Sequence, residues 1–319
     1  MTKARENSDY TGLAADIVAG DTAARAGRKN LIINGGFDVW QRGAYTSATS
    51  VANDTYYVDR FFTLISIVTA TLQNTANSAK VAATSSATGF IGLSQKVEDK
   101  VYNTLKGKTV TLSAKVTSNK SNARLRSYNG SAWADSATSH SGNGTEETLT
   151  HTFTVSSSPS NLIIQLITYD GDSVALASGD YIEVTGVQLE VGSVATDFEH
   201  RSYGEELALC QRYYYQVGGA SMEYLCQGDF YTATQFNPSI IFPVTMRTAP
   251  SFTQVSGANY FIVYRASNSV YKDDDWTFWK SSPNVASIYG PMDGTSTQGH
   301  SGRCLAANGN AKLMFSAEL

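Results

Sequence analysis

The residues best suited to chemistry are aromatics set beside amides, arginines and acids. Tyr128 and Trp133 flank an Asn129-Gly130 pair, with Arg124 and Arg126 just upstream. Farther along, the stretch from Tyr271 to Trp279 packs aromatics around Asp273, Asp274 and Asp275, and Tyr289 and His300 sit in Gly-rich loops. Sugars call for this mixture. A pyranose offers apolar C–H faces that stack on Trp or Tyr, and its hydroxyls need side-chain amides and carboxylates. The candidate ligand-binding residues are therefore Arg124, Tyr128, Trp133, Tyr271, Asp274, Trp276 and Tyr289. The core is the default place for any aromatic, and Trp40, Trp133 and Trp279 read as core first. The loop over 271–279 is the exception: its charges cannot be buried unpaired, so Trp276 or Tyr271 is expected at the surface.

Catalysis is poorly provided for. There is no Gly-x-Ser-x-Gly elbow, no Walker A loop and no His-Glu-x-x-His. His140, His151, His200 and His300 lack ligand spacing, and His151 reads as a structural residue of an alternating strand. The three consecutive aspartates would point in different directions, which suits a solvated loop better than a glycosidase pair or a calcium site. Non-catalytic binding with no cofactor is the expectation, and a polysaccharide depolymerase is the enzymatic alternative. Cys210, Cys226 and Cys304 are odd in number and widely spaced, as small buried hydrophobes would be rather than a disulfide framework.

Composition narrows the partners. Only 16% of the 319 residues are charged, against roughly 25% on average, and the net charge is -4. No basic stripe offers itself to phosphates, so nucleic acid is not an expected partner. No apolar run approaches the roughly 18 residues of a membrane span, and the first residues lack the apolar segment of a signal peptide. Hydrophobic residues at 42% suffice for a sizeable core.

The elements that must hold the candidates are strands. Asn30 to Gly43 reads as a first strand and turn, with Leu31 and Ile33 on one face and Asn34-Gly35-Gly36 supplying left-handed positions. Val110, Leu112, Ala114 and Val116 alternate with hydroxyl residues expected on a wet face. Arg124–Tyr128 and Ser131–Trp133 read as a hairpin around a two-residue turn. Leu162–Tyr169 is apolar on both faces except at Gln165 and Thr168 and reads as a central strand. Ile182 and Val184 share one parity, whereas Val187, Leu189 and Val191 take the other, so a β-bulge is expected near Thr185-Gly186. Ser202 and Glu205 form a capping box that opens a short helix. Strands are then expected at 224–230, 240–246, 251–256, 260–265, 276–280 and 285–289. A last hairpin is expected to turn at Asn308-Gly309.

Asn30–Gly43, Tyr57–Phe61 and Gly179–His200, with Ser202–Tyr215, together resemble bacteriophage tail-fibre and related virion proteins built on a jelly roll similar to carbohydrate-binding modules. The resemblance implies an all-β chain: an anchor arm (residues 1–28, with Leu13, Ile17 and Val18 as a short apolar stripe), a jelly-roll β-sandwich (29–198), a linker helix (199–212) and a smaller C-terminal β-sandwich for receptor binding (213–319). It implies a homotrimeric virion component, made in the host cytoplasm, that adheres to a host-surface glycan or protein. Its arm would bind a tail or capsid protein. A tail adaptor or capsid decoration subunit is the structural alternative. A structural calcium is conceivable, with Asn34, Asp38 or Asp180 as donors, although Thr185-Gly186-Val187 stands where paired acids usually lie.

Overall fold

The computed structural model describes residues 29–265, 270–273 and 275–319; the expected arm lies outside them. The chain falls into two compact units, one running to Glu206 and taking in Leu319, the other spanning Leu207–Glu318.

Alternating apolar and polar residues give the first unit thirteen strands: β1 (Thr49–Val51), β2 (Tyr56–Val58), β3 (Phe61–Ser66), β4 (Ala70–Asn74), β5 (Ala79–Ala83), β6 (Ala87–Val97), β7 (Thr109–Ser118), β8 (Ala123–Tyr128), β9 (Trp133–Asp135), β10 (Glu146–Thr154), β11 (Leu162–Thr168), β12 (Val174–Leu176) and β13 (Tyr181–Val191). They pair antiparallel in two sheets. One runs β1-β4-β5-β13-β7-β10, and the other runs β2-β3-β6-β11-β8-β9 with β12 beside β6. A single core draws Leu72, Val81, Leu112 and Leu189 from the first sheet and Ile91, Leu93, Leu125 and Leu166 from the second. This is a jelly-roll β-sandwich, as the sequence implies. Strand β11 is central, as its two-faced apolarity requires.

Two local readings are corrected. Asn30–Gly43 contains no strand, and of Leu31, Ile32 and Ile33 it is Ile32 that is buried, with Phe37 and Val39 beyond it. Asn30 Oδ1 accepts the Ile32 N–H (2.9 Å), which bends the chain before a ladder can form. Asn34 then takes a left-handed φ of +61° and wraps its amide around the loop. Its Oδ1 accepts from Val39 N (3.0 Å), and its Nδ2 donates to Val39 O (2.9 Å) and Asp59 O (3.0 Å). On β7, Thr111 and Ser113 are buried rather than wet, because the Thr111 hydroxyl donates to Gly192 O (2.9 Å) in the segment that follows β13.

The expected bulge is present. Against β7 the register passes from Thr185↔Lys115 to Gln188↔Ser113, three steps on one strand for two on the other. Gly186, at φ +58°, absorbs the extra residue, so Ile182, Val184, Val187 and Leu189 all reach the core. The N-terminal loop packs against this strand: Leu31 N donates to Leu189 O (2.8 Å) and Val187 N to Gly35 O (2.9 Å). A Cβ on Gly35 would stand 2.0 Å from Val187 O, so no other residue fits there. Glu206 completes the join. Its carboxylate accepts Asn34 N (2.6 Å) and pairs with Arg201 (3.2 Å), whose guanidinium also donates to Ile32 O and Asn30 O. The capping box forms as read: Ser202 N donates to the Glu205 carboxylate (3.1 Å), and Glu205 N donates to Ser202 Oγ (3.4 Å), opening the helix Tyr203–Gln211.

The second unit holds β14 (Tyr214–Gly218), β15 (Glu223–Thr232), β16 (Gln235–Ile241), β17 (Ser251–Val255), β18 (Phe261–Arg265), β19 (Val270–Asp273), β20 (Thr277–Ser282), β21 (Val285–Pro291), β22 (Ser301–Ala306) and β23 (Lys312–Ser316). A three-stranded sheet, β14-β23-β17, shares a core with a seven-stranded sheet, β19-β18-β22-β15-β16-β21-β20. The strand expected over 240–246 lies instead at Gln235–Ile241. The expected last hairpin does not form: β22 and β23 flank Asn308-Gly309 but belong to different sheets. All three cysteines are free and buried.

Candidate functional site

The outer face of the seven-stranded sheet of the first unit gathers the residues singled out at 124–133. Antiparallel register lines up Ser94, Gln165, Arg126 and Asp135 in one row across β6, β11, β8 and β9. The next row reads Lys96, Ile163, Tyr128 and Trp133, and on the other side Gly92, Ile167 and Arg124 are aligned. Period-two geometry puts Arg124, Arg126 and Tyr128 on this face, while Leu125 and Ser127 point inward.

The turn that carries Trp133 spans four residues, not the two expected. Tyr128 pairs with Trp133, and Asn129 N donates to Ala132 O (3.0 Å). The Asn129 side chain holds it closed: its Oδ1 accepts from Ser131 N (3.0 Å) and Ala132 N (2.9 Å), and its Nδ2 reaches Thr154 O (3.0 Å). Gly130 takes φ +94° where a Cβ would meet Pro159 at 2.4 Å. Trp133 is presented 42% exposed from this braced turn, which corrects its default placement in the core. Trp279 is likewise exposed, at 56%.

Around Trp133 the groups interlock. The Arg126 guanidinium lies over the Trp133 ring (4.4 Å) and the Tyr169 ring (4.2 Å), and its Nε stands 3.0 Å from Asp135 Oδ1. Arg124 pairs with Asp170 (2.9 Å) and approaches Asp135 (3.9 Å). Tyr128 packs its ring 5.3 Å from Trp133. Two arginines face two aspartates, so the four charges gathered beside Trp133 balance. Hydrogen-bonding capacity remains: Arg124 Nε and Gln165 Oε1 are buried with no hydrogen-bond partner, whereas Arg126 Nε and Asp135 Oδ1 face each other at 3.0 Å. Gln165 is only 8% exposed, in the middle of its row. Polar atoms left in this state are costly unless something completes them. An exposed indole beside uncompleted donors and acceptors can stack an apolar face and bind hydroxyls at its rim.

Tyr169, Asp135, Asp170 and Gln165 were missed by the sequence reading. Parity held the signal: Gln165 on β11 and Tyr169 just past its end share one outward phase, and Asp135 lies two residues beyond Trp133.

In the second unit the candidates do not form a comparable cluster. Trp276 is 3% exposed and packs its ring against Phe236 (6.4 Å) and Phe261 (5.9 Å), so of the two aromatics expected at the surface, Trp276 is a core residue. The acids do not drag it outward, because Asp275 is completed separately by the Ser256 hydroxyl (2.6 Å) and the Gln254 amide (3.2 Å). Asp274 lies outside the described residues, and Tyr271 is described only as a β19 residue opposite Val263. Tyr289 is half-buried opposite Thr277 at the sheet's β20 side.

His151 faces inward, stacked on Phe153 (5.1 Å) with Ser127 Oγ 3.0 Å from its Nε2; burial holds its pKa below the usual histidine value. Of the conceivable calcium donors, Asn34 has its amide committed to Val39 and Asp59, and Asp180 accepts from Asn119 (3.1 Å), Ala177 N (2.8 Å) and Lys120 (3.1 Å). Among the described residues no three His, Cys, Asp or Glu side chains are placed to hold a metal. No helix among them is long and apolar enough to cross a membrane.

Neither any known protein family nor any curated protein matches the sequence. Solved structures similar to parts of the chain include a carbohydrate-binding module of family 61 in complex with β-1,4-galactotriose, 13% identical, covering 51% of this chain and 99% of that one at a TM-score of 0.30. A xylan-binding CBM22 domain of Paenibacillus barcinonensis Xyn10C is 12% identical, with 52% and 99% covered and a TM-score of 0.30. A tripod from the baseplate of bacteriophage Tuc2009 is 13% identical, with 67% and 83% covered and a TM-score of 0.29. At these values the fold is defined by the chain's own sheets and register.

Proposed function

We propose that this chain is a non-catalytic glycan-binding adhesin of a virion, in which the outer face of the seven-stranded sheet binds a host-surface polysaccharide. The observation that carries the reading is Trp133, held exposed on a braced turn beside Arg126, Tyr169 and the uncompleted amide oxygen of Gln165. A purely structural adaptor would expose a continuous apolar patch for its partner there, whereas this face sets an indole among amide, guanidinium and carboxylate groups. The virion setting, the trimer and an arm that engages a tail or capsid protein rest on the sequence resemblance. The balanced charge of the patch favours a neutral polysaccharide over an acidic one.

The test is a glycan array probed with the full chain, followed by titration of the best-bound oligosaccharide into wild type and Trp133→Ala. The expected result is a neutral glycan bound and an affinity loss of about tenfold or more, about 1.4 kcal/mol, in the variant. Binding that survives Trp133→Ala unchanged, or release of reducing ends from the glycan, would refute the reading.

A further inference from the structure

The opposite sheet carries a second recess that the proposed site does not use. It lies over the bulge of β13. One part, about 200 Å³, is walled by Phe198 and His200, whose rings meet edge to face at 4.9 Å, with Gly186 between them and Lys115. The other, about 280 Å³, is lined by hydroxyls and carboxylates from the β4–β5 tip and from β13, β7 and β10. The two share Asn77, Lys115 and Thr185, so they form one continuous trench with an aromatic end and a polar end.

Its geometry is built, not incidental. The tip of the β4–β5 hairpin puts two successive non-glycine residues, Ala76 (φ +56°) and Asn77 (φ +68°), in the left-handed region, a strained choice for alanine. It is held there from the trench side: the Thr75 and Ser78 hydroxyls both donate to Glu183 Oε1, and Thr185 Oγ1 donates to Asn77 O (2.7 Å). Gly186 leaves the floor open. A Cβ there would sit 3.7 Å from Lys115 Cδ and 3.8 Å from Phe198 Cγ, inside the gap between ammonium stem and ring. The bulge that restores core parity on one side thus hollows the surface on the other.

We propose that this trench is a second saccharide site, taking a short stretch of a neutral or amino sugar. The ring end offers a face for pyranose C–H groups, and the polar end offers the Asn77 amide, the Thr117 hydroxyl and the Lys115–Glu146 ion pair (2.9 Å). Three carboxylates (Asp38, Glu146 and Glu183) face a single ammonium (Lys115), so uronic acids and other anionic sugars are disfavoured. The proposal shares its ligand class with the proposed function but stands on different residues, on the other sheet.

The experiment follows backbone amide shifts of the full chain by NMR as sugars are added at ~20 mM, above the ~1 mM range in which weak sites bind. The probes are methyl β-glucoside, methyl β-galactoside, glucosamine and glucuronate. Shifts are expected at Asn77, Lys115, Thr185 and Gly186 with at least one of the first three, and shifts at least threefold smaller with glucuronate. Phe198→Ala should abolish them. Because Phe198 also packs beside Gly36, Lys115→Gln, at an exposed position, serves as the second variant and should weaken them without altering the rest of the spectrum. Trp133→Ala should leave them intact. Silence at these four amides with every sugar, equal shifts from glucuronate, indifference to both trench variants, or loss on Trp133→Ala would overturn the proposal. Trench shifts without any at Arg126 and Trp133 would instead refute the proposed function alone.

Discussion

His151 sits on the inner face of β10 against Phe153 and Ser127, and burial pushes its pKa down. A base with a folded pKa below its unfolded value of about 6.5 takes up fewer protons folded than unfolded, so stability present at neutral pH declines as pH falls below that value. Glu190 adds a lower window. Burial pushes its pKa up, but the Thr196 N–H and hydroxyl and the Gln188 amide outweigh this and hold it below 4.5, so its contribution is lost as pH falls below that value. Urea midpoints for the first unit should therefore drop in two stages, and His151→Gln should flatten the upper one; an unchanged slope between pH 7 and 5.5 would contradict this. The tryptophans make the complementary point. Trp276→Ala empties a buried site and should cost about 3–5 kcal/mol of stability, whereas Trp133→Ala, the variant that weakens glycan binding, should cost less than about 1 kcal/mol, both read from denaturant curves. Their residue types and spacing were legible in the sequence, but their exposure was not. Neighbouring acids said nothing of Trp276, because Asp275 finds its partners on β17 and just beyond it, at Gln254 and Ser256.

At the scale of elements, parity was the most dependable signal. The bulge in β13 followed from the phase change between Val184 and Val187, and the central place of β11 from its two apolar faces. What failed were turns, whose outcome depends on distant partners. Asn129-Gly130 looks like a two-residue turn, yet the Asn129 side chain satisfies the amides of Ser131 and Ala132 and so widens it to four. Asn308-Gly309 looks like another, yet the strands it separates find mates in different sheets. Leu31 and Ile33 looked like one face of a strand, but Asn30 and Asn34 bend the segment with their own side chains. Asn34→Ala would strand three buried backbone groups and should destabilise the first unit by about 3 kcal/mol or more, measurable as a shifted midpoint with unchanged slope. Gly186→Ala should cost about 1–2 kcal/mol for its left-handed φ. Deleting Gly186 should be far worse, because it sends Val187 and Leu189 to the wrong face; a deletion variant of near-native stability would refute the bulge's role.

At the scale of the whole molecule, charge is informative. The net charge is -4 and the candidate patch is balanced, so binding of a neutral glycan should change by less than about twofold between ~0.05 and ~0.5 M salt, unlike the steep loss of phosphate binders. A strong salt dependence would point to an ionic ligand instead. If the chain assembles as the proposed fibre subunit, light scattering should give three times the 34.3 kDa chain mass, and a chain beginning at Lys29 would tell whether residues 1–28 are needed for it. A monomer in both cases would remove the trimer from the proposal.

The join between Asn30–Asn34 and Arg201–Glu206 has a mechanical consequence. It links the two places where the first unit is entered and left by the described chain. Tension applied at residues 29 and 207 would fall first on Glu206, Arg201, Glu199 and the Leu31–Leu189 bond to β13, while the twelve other strands stay unloaded. The unit would act as a buckled strap rather than an unravelling thread. Single-molecule pulling should show one sharp yield before any strand extends, and Glu206→Gln should lower the force at which it opens.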